Sequence, residues 1–204
     1  MCAKRFMAVA RGVGGESALS RIVRRAGILA VAATAVAGGA GCGRTPVAVA
    51  PALGLALVDH AELMARVAGH RGKVVVLDCW STSCPPCVRE FPGLVRLAAA
   101  HPQAVACLSL SFDYEGIGSP EEAAERVRGF LASVGAGRIE NLLSREEADT
   151  MYGKLALDSV PAVYVWRPDG SLARRFDDDD AKRRLGRPFT YADVEAEVRG
   201  LLAE

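Results

Sequence analysis

Residues 74–92 read VVVLDCWSTSCPPCVREFP. The run Val74 to Leu77 is β-branched and apolar without alternation, the pattern of a strand buried on both faces. Cys84 and Cys87 follow, three residues apart, where a helix is expected to begin. Pro85 and Pro86 suit a helix's first turn. The helix is expected to run to about His101, with a kink at Pro92.

Elements can be placed outward from this stretch. Before it, Asp59 to Ala68 carries Ala61, Leu63, Met64 and Val67 at helical spacing, with Asp59 as the cap. After it, Val105 to Leu110 is a second buried strand, and strand, helix and strand in this order form a right-handed crossover with parallel strands. Ser119 caps a helix from Pro120 whose apolar face is Ala123, Val127, Phe130 and Leu131, closed by Gly135 and Gly137. Asn141 to Leu143 reads as a short strand. Ser144, with Glu147 in a capping box, is expected to start a helix from Glu146 to about Leu155. Val163 to Trp166 and Leu172 to Phe176 form a hairpin about the turn Pro168 to Ser171. An amphipathic helix from Tyr191 to Leu202 closes the chain. The fold class is α/β with a terminal antiparallel hairpin.

Two thiols at this spacing can close a small disulfide ring. Unpaired N–H groups and the helix dipole at a helix start favour a thiolate there, and cysteine pKa values fall to about 3.5–7.5 in such surroundings. Only the thiolate attacks a disulfide sulfur. Pro85 and Pro86 have no N–H to offer, so the Cys87 N–H is the expected partner of Cys84. Cys84, nearer the exposed end, is the expected nucleophile, and Cys87, a turn deeper, resolves the mixed disulfide. A structural zinc site needs four ligands. No second Cys pair exists, and His60, His70 and His101 are poorly placed, so neither a metal nor a cofactor is expected.

The segment from Asp78 to Pro92 resembles the active-site segment of the thioredoxin superfamily, nearest its TlpA/ResA-like thiol-disulfide oxidoreductases. Gly72-Lys73 with the valines before it, and Val160, Pro161 and Ala162 after it, extend the resemblance over roughly residues 58–176. The resemblance implies a thioredoxin fold: a mixed central sheet flanked by helices, with a helix and strand inserted after the second main strand, where residues 113–143 fit. It implies that Pro161 is a cis-proline facing the dithiol. Trp80 matches the aromatic flanking the site, and Glu90 an acid near it. Asp78 matches the buried acid beneath the second cysteine, where many TlpA-like members have Asn. Such a carboxyl has a raised pKa and can take the proton from Cys87. Ser83 departs from the family, which commonly has a second Trp there.

Cys79 and Cys107 fall in core strands and read as small buried hydrophobes. Tyr164, Trp166 and Phe130 read as core aromatics, and Asp177 to Asp180 as a solvated loop. Net charge is +1, but residues 1–41 hold six basic residues and one acid, and the remainder carries 19 basic against 23 acidic residues. That balance gives no case for nucleic-acid binding. Arg21, Arg24 and Arg25, then the apolar small-residue stretch from Ile28 to Gly41, have the pattern of a secretory signal. The stretch falls short of the roughly 20 apolar residues of a membrane span. Gly39-Ala40-Gly41-Cys42 resembles a bacterial lipobox, although Gly39 stands where Leu is usual. Cys42 is therefore expected to be lipidated; a conventionally cleaved signal with a free Cys42 is the alternative. Residues 42–57 read as a tether, and 58–204 as the domain, periplasmic and anchored through Cys42.

These features favour a membrane-tethered thiol-disulfide oxidoreductase. It would act on disulfides of exported proteins and draw electrons from a membrane donor. The family leans towards reductants, but oxidants and isomerases share the same motifs. A peroxidase of the peroxiredoxin type uses Thr-x-x-Cys, whereas Thr82 is two residues before Cys84. A copper carrier of this fold class wants Cys-x-x-x-Cys and a distant histidine; Cys84 and Cys87 are one residue too close.

Overall fold

The computed structural model describes residues 53–204. Elements run β1 (Ala56–Val58), α1 (His60–Gly69), β2 (Val74–Trp80), α2 (Pro85–Glu90), α3 (Pro92–Ala100), β3 (Val105–Ser111), α4 (Pro120–Ser133), β4 (Glu140–Ser144), α5 (Ala148–Leu155), β5 (Ala162–Trp166), β6 (Leu172–Phe176), α6 (Asp178–Arg184) and α7 (Tyr191–Leu202). One six-stranded sheet has the order β1-β4-β3-β2-β5-β6. β1, β4, β3 and β2 are mutually parallel. β5 runs antiparallel to β2, and β6 antiparallel to β5.

β2 and β3 are buried along their whole length, as their unbroken apolar runs require when both sheet faces are covered. Successive side chains on β2 alternate between two cores. Val74, Val76 and Trp80 pack with Cys84, Cys87, Phe91, Val127, Tyr191 and Val194. Val75, Leu77 and Cys79 pack with Leu63 and Val67 of α1 and Met151 of α5. Asp78, an even-numbered position, therefore points to the face that carries Cys84 and Cys87. The same alternation puts Cys79 and Cys107 in different cores, each as a free thiol.

The insertion expected between residues 113 and 143 is present as α4 and the start of β4. Ser119 and Glu122 form a capping box at the head of α4. β4 pairs with β3 on one side and β1 on the other. Buried Asn141 ties it down, accepting from Ser109 Oγ at 3.0 Å and donating to the carbonyls of Ala136 and Ile139 at 3.0 Å each.

Three local expectations are corrected. Residues 56 and 57, read as tether, belong to β1 and pair with Leu142 and Leu143. Ser144 is not a helix cap: it ends β4, its hydroxyl donates to the Glu146 carbonyl at 2.7 Å, and α5 starts later, at Ala148. Asp177 to Asp180 is not a solvated loop. Asp177 caps α6, accepting the Asp180 N–H at 2.8 Å, and Asp180 is buried against Arg174 at 3.0 Å. The helix through Pro92 is interrupted at Phe91, where the kink is expected, into α2 and α3, with Phe91 itself in helical conformation. The signal, the lipobox and Cys42 lie outside the described residues. Among those residues, no helix is long and apolar enough to cross a membrane.

Candidate active site

Cys84 is the N-cap of α2, in extended conformation, and Cys87 lies one turn on. The two are joined by a disulfide, with their Cα atoms 5.3 Å apart. The Cys87 N–H reaches Cys84 Sγ at 3.3 Å, as expected where the prolines at 85 and 86 have no N–H to give. Phe91 has helical dihedrals, so α3 continues from α2 and the local backbone dipoles point toward Cys84.

Two loops hold the cysteine turn in place. Val160 and Pro161 are joined by a cis peptide bond, and the Val160 carbonyl oxygen lies 3.7 Å from Cys84 Sγ. On the other side, buried Asp113 at the end of β3 accepts the Thr82 N–H at 3.0 and 3.2 Å and the Thr82 hydroxyl. Its second oxygen also accepts from Ser111 Oγ at 2.6 Å. Asp113 was missed in the sequence. Its signal was a carboxylate directly after a buried strand, two residues beyond a serine on the same face.

A groove of ≈ 340 Å³ opens beside the cysteines. Cys84 lines it, with Ser81, Ser83 and Val160; Cys87 does not. The two differ little in overall exposure, 9% for Cys84 and 3% for Cys87, so access through the groove distinguishes them. Phe112 and Tyr152 stack in its wall, their ring centroids 4.4 Å apart.

Asp78 is buried, and Tyr191 Oη donates to its Oδ2 at 2.5 Å. Burial pushes the Asp78 carboxyl up to about 7, and the Tyr191 hydrogen bond partly opposes that. Cys107 is pushed up to about 12, first by burial and then by the Asp78 charge. Both buried free thiols thus stay neutral.

Trp80 packs in the core cluster that holds both cysteines; it is fully buried, its ring centroid 4.8 Å from those of Phe91 and Phe130, and its indole N–H has no hydrogen-bond partner among the described residues. Glu90 accepts the backbone N–H of Tyr191 at 3.1 Å. Among the described residues, no group of three or more His, Cys, Asp or Glu side chains is placed to hold a metal ion.

The parallel crossover, the cysteine turn at a helix start and the cis-proline loop against it define a thioredoxin-like fold. A solved thioredoxin-like superfamily protein matches at a TM-score of 0.51 and 20% identity, over 68% of this chain and 85% of that one. An uncharacterized conserved protein from Geobacillus kaustophilus matches at 0.50 and 21% identity, over 66% and 69% of the two chains. A secreted disulfide oxidoreductase from Mycobacterium tuberculosis, described as homologous to E. coli DsbE, matches at 0.49 and 22% identity, over 66% and 86%. At these identities the first two matches show the fold alone. No protein-family model and no curated protein matches the sequence.

Proposed function

We propose that the protein is an extracytoplasmic thiol-disulfide oxidoreductase that reduces disulfides of exported proteins through Cys84 and Cys87. The observation that carries this reading is the Cys84–Cys87 disulfide at a helix start, with Cys84 alone reached through the groove.

In the reduced protein the Cys84 thiolate, favoured by the Cys87 N–H and the helix start, attacks one sulfur of a substrate disulfide. That S–S bond breaks, one substrate thiolate leaves, and a mixed disulfide forms. Cys87 then gives its proton to the Asp78 carboxylate and attacks Cys84 Sγ. The second substrate thiolate leaves, and the internal disulfide forms again. Two electrons pass from the dithiol to the substrate. An Asp78 carboxyl at about 7 is well matched to this transfer near neutral pH. Re-reduction falls to a membrane electron donor, and the secretory signal with lipidated Cys42 keeps the domain beside it. The resemblance of residues 78–92 to TlpA/ResA-like proteins supports the reducing direction. The chemistry calls on no metal or cofactor.

Reduction of a disulfide-bonded protein by the reduced domain tests this. Cys84→Ser is expected to abolish exchange, and Cys87→Ser to accumulate mixed disulfides visible on non-reducing gels. Wild-type rates in Cys84→Ser would sink the reading.

A further inference from the structure

Tyr191 opens α7, far in sequence from both cysteines, yet it is gripped by their surroundings. Its N–H donates to Glu90, three residues beyond Cys87, at 3.1 Å. Its hydroxyl donates to Asp78 Oδ2 at 2.5 Å. Its ring crosses the first turn of α3 at Gly93, where an added Cβ would lie 2.2 Å from the Tyr191 Cβ. The close approach of α3 and α7 thus delivers the phenol to the buried carboxylate from the cysteine side. No other side chain donates a hydrogen bond to Asp78 among the described residues.

We propose that Tyr191 is the positioning residue for Asp78: its hydroxyl fixes one carboxylate oxygen and keeps the other as the proton acceptor for Cys87. The inference rests on the oxidoreductase reading and deepens it. In the resolving step the Cys87 proton passes to the free Asp78 oxygen. The sulfur electron pair forms the bond to Cys84 Sγ, the mixed disulfide breaks, and the substrate sulfur leaves as thiolate. The Asp78 charge acts on Cys79 of β2, Cys107 of β3 and Tyr191 of α7, and Cys87 of α2 packs in the same core cluster as Cys107 and Tyr191. The α3 and β5 members of that cluster, Leu94, Leu97, Ala98, Val163 and Val165, carry no titratable or charged group. Burial holds Cys79, Cys107 and Tyr191 protonated well above neutrality. Asp78 is therefore the one member of the group that titrates near neutral pH before Cys87 reacts.

The test is the pH profile of the resolving step, read as release of 2-nitro-5-thiobenzoate from its mixed disulfide with Cys84. Tyr191→Phe removes a bond that favours the ionised carboxylate, so the acid limb is expected to move up by about one pH unit. In an Asp78→Asn background the same substitution is expected to leave the rate unchanged. A stronger donor, 3-fluorotyrosine at position 191, is expected to move the limb down, and it serves if Tyr191→Phe does not fold. Coincident profiles for the wild type and the folded variant would overturn the inference. So would an equal effect of Tyr191→Phe with and without Asp78. A wild-type protein that releases no probe defeats the oxidoreductase reading itself, a result distinct from either.

Discussion

At Cys84 the sulfur meets a groove, whereas Cys87 is closed off by the helix and the core beneath it. The pair and its place at a helix start were legible because spacing and proline content act within four residues. Asp78 was legible as a buried acid. Tyr191 was not, because nothing local marks a helix-opening tyrosine as the partner of a residue 113 positions away. Asp78 also has a consequence for stability. Its carboxyl titrates at about 7 in the fold against 3.8 in the unfolded chain. Between these values the native state binds the extra proton, so the contribution is fully present below pH 4 and lost as pH rises through 7. The loss amounts to as much as about 4 kcal/mol. Asp78→Asn is expected to remove this slope and to unfold at higher urea than wild type at pH 8. Parallel stability curves for the two oxidised proteins from pH 4 to 8 would contradict it.

The elements with strong local signals formed where the residues placed them: α1 behind Asp59, α4 behind Ser119, β2 and β3 as unbroken apolar runs. The departures have tertiary causes. β1 is three residues long, too short for any periodicity, and exists because β4 offers it an edge. The acidic run forms α6 because Asp177 caps it and Arg174 and Arg184 pair with Asp180 at 3.0 Å each, satisfying a buried carboxylate. The junction of α3 and α7 yields a prediction at this scale. Gly93→Ala would drive a methyl into the Tyr191 Cβ, an atom fixed by the start of α7. A loss of about 1–3 kcal/mol is expected from such overpacking, read by urea unfolding at constant m. Unchanged stability would mean that the two helices are free to separate.

Across the whole molecule, the described residues build a sheet with parallel β2 and β3 at its centre, the antiparallel hairpin at one edge and the inserted β4 carrying β1 at the other. The order of elements other than β1 and α6 was readable from the chain. The position of β1 and the grip of Asp113 on the cysteine turn were not, since both depend on segments that meet only after the sheet assembles. The central claim is that Cys84 and Cys87 are a reducing two-electron couple. Its most direct test is the reduction potential of that couple, measured by equilibration against a thiol buffer with alkylation and mass readout. The account predicts one two-electron transition near thioredoxin's value, about −270 mV. A value near −120 mV, that of a strong oxidant, would contradict the reducing direction, and a pair that does not cycle at all would contradict the oxidoreductase reading as a whole.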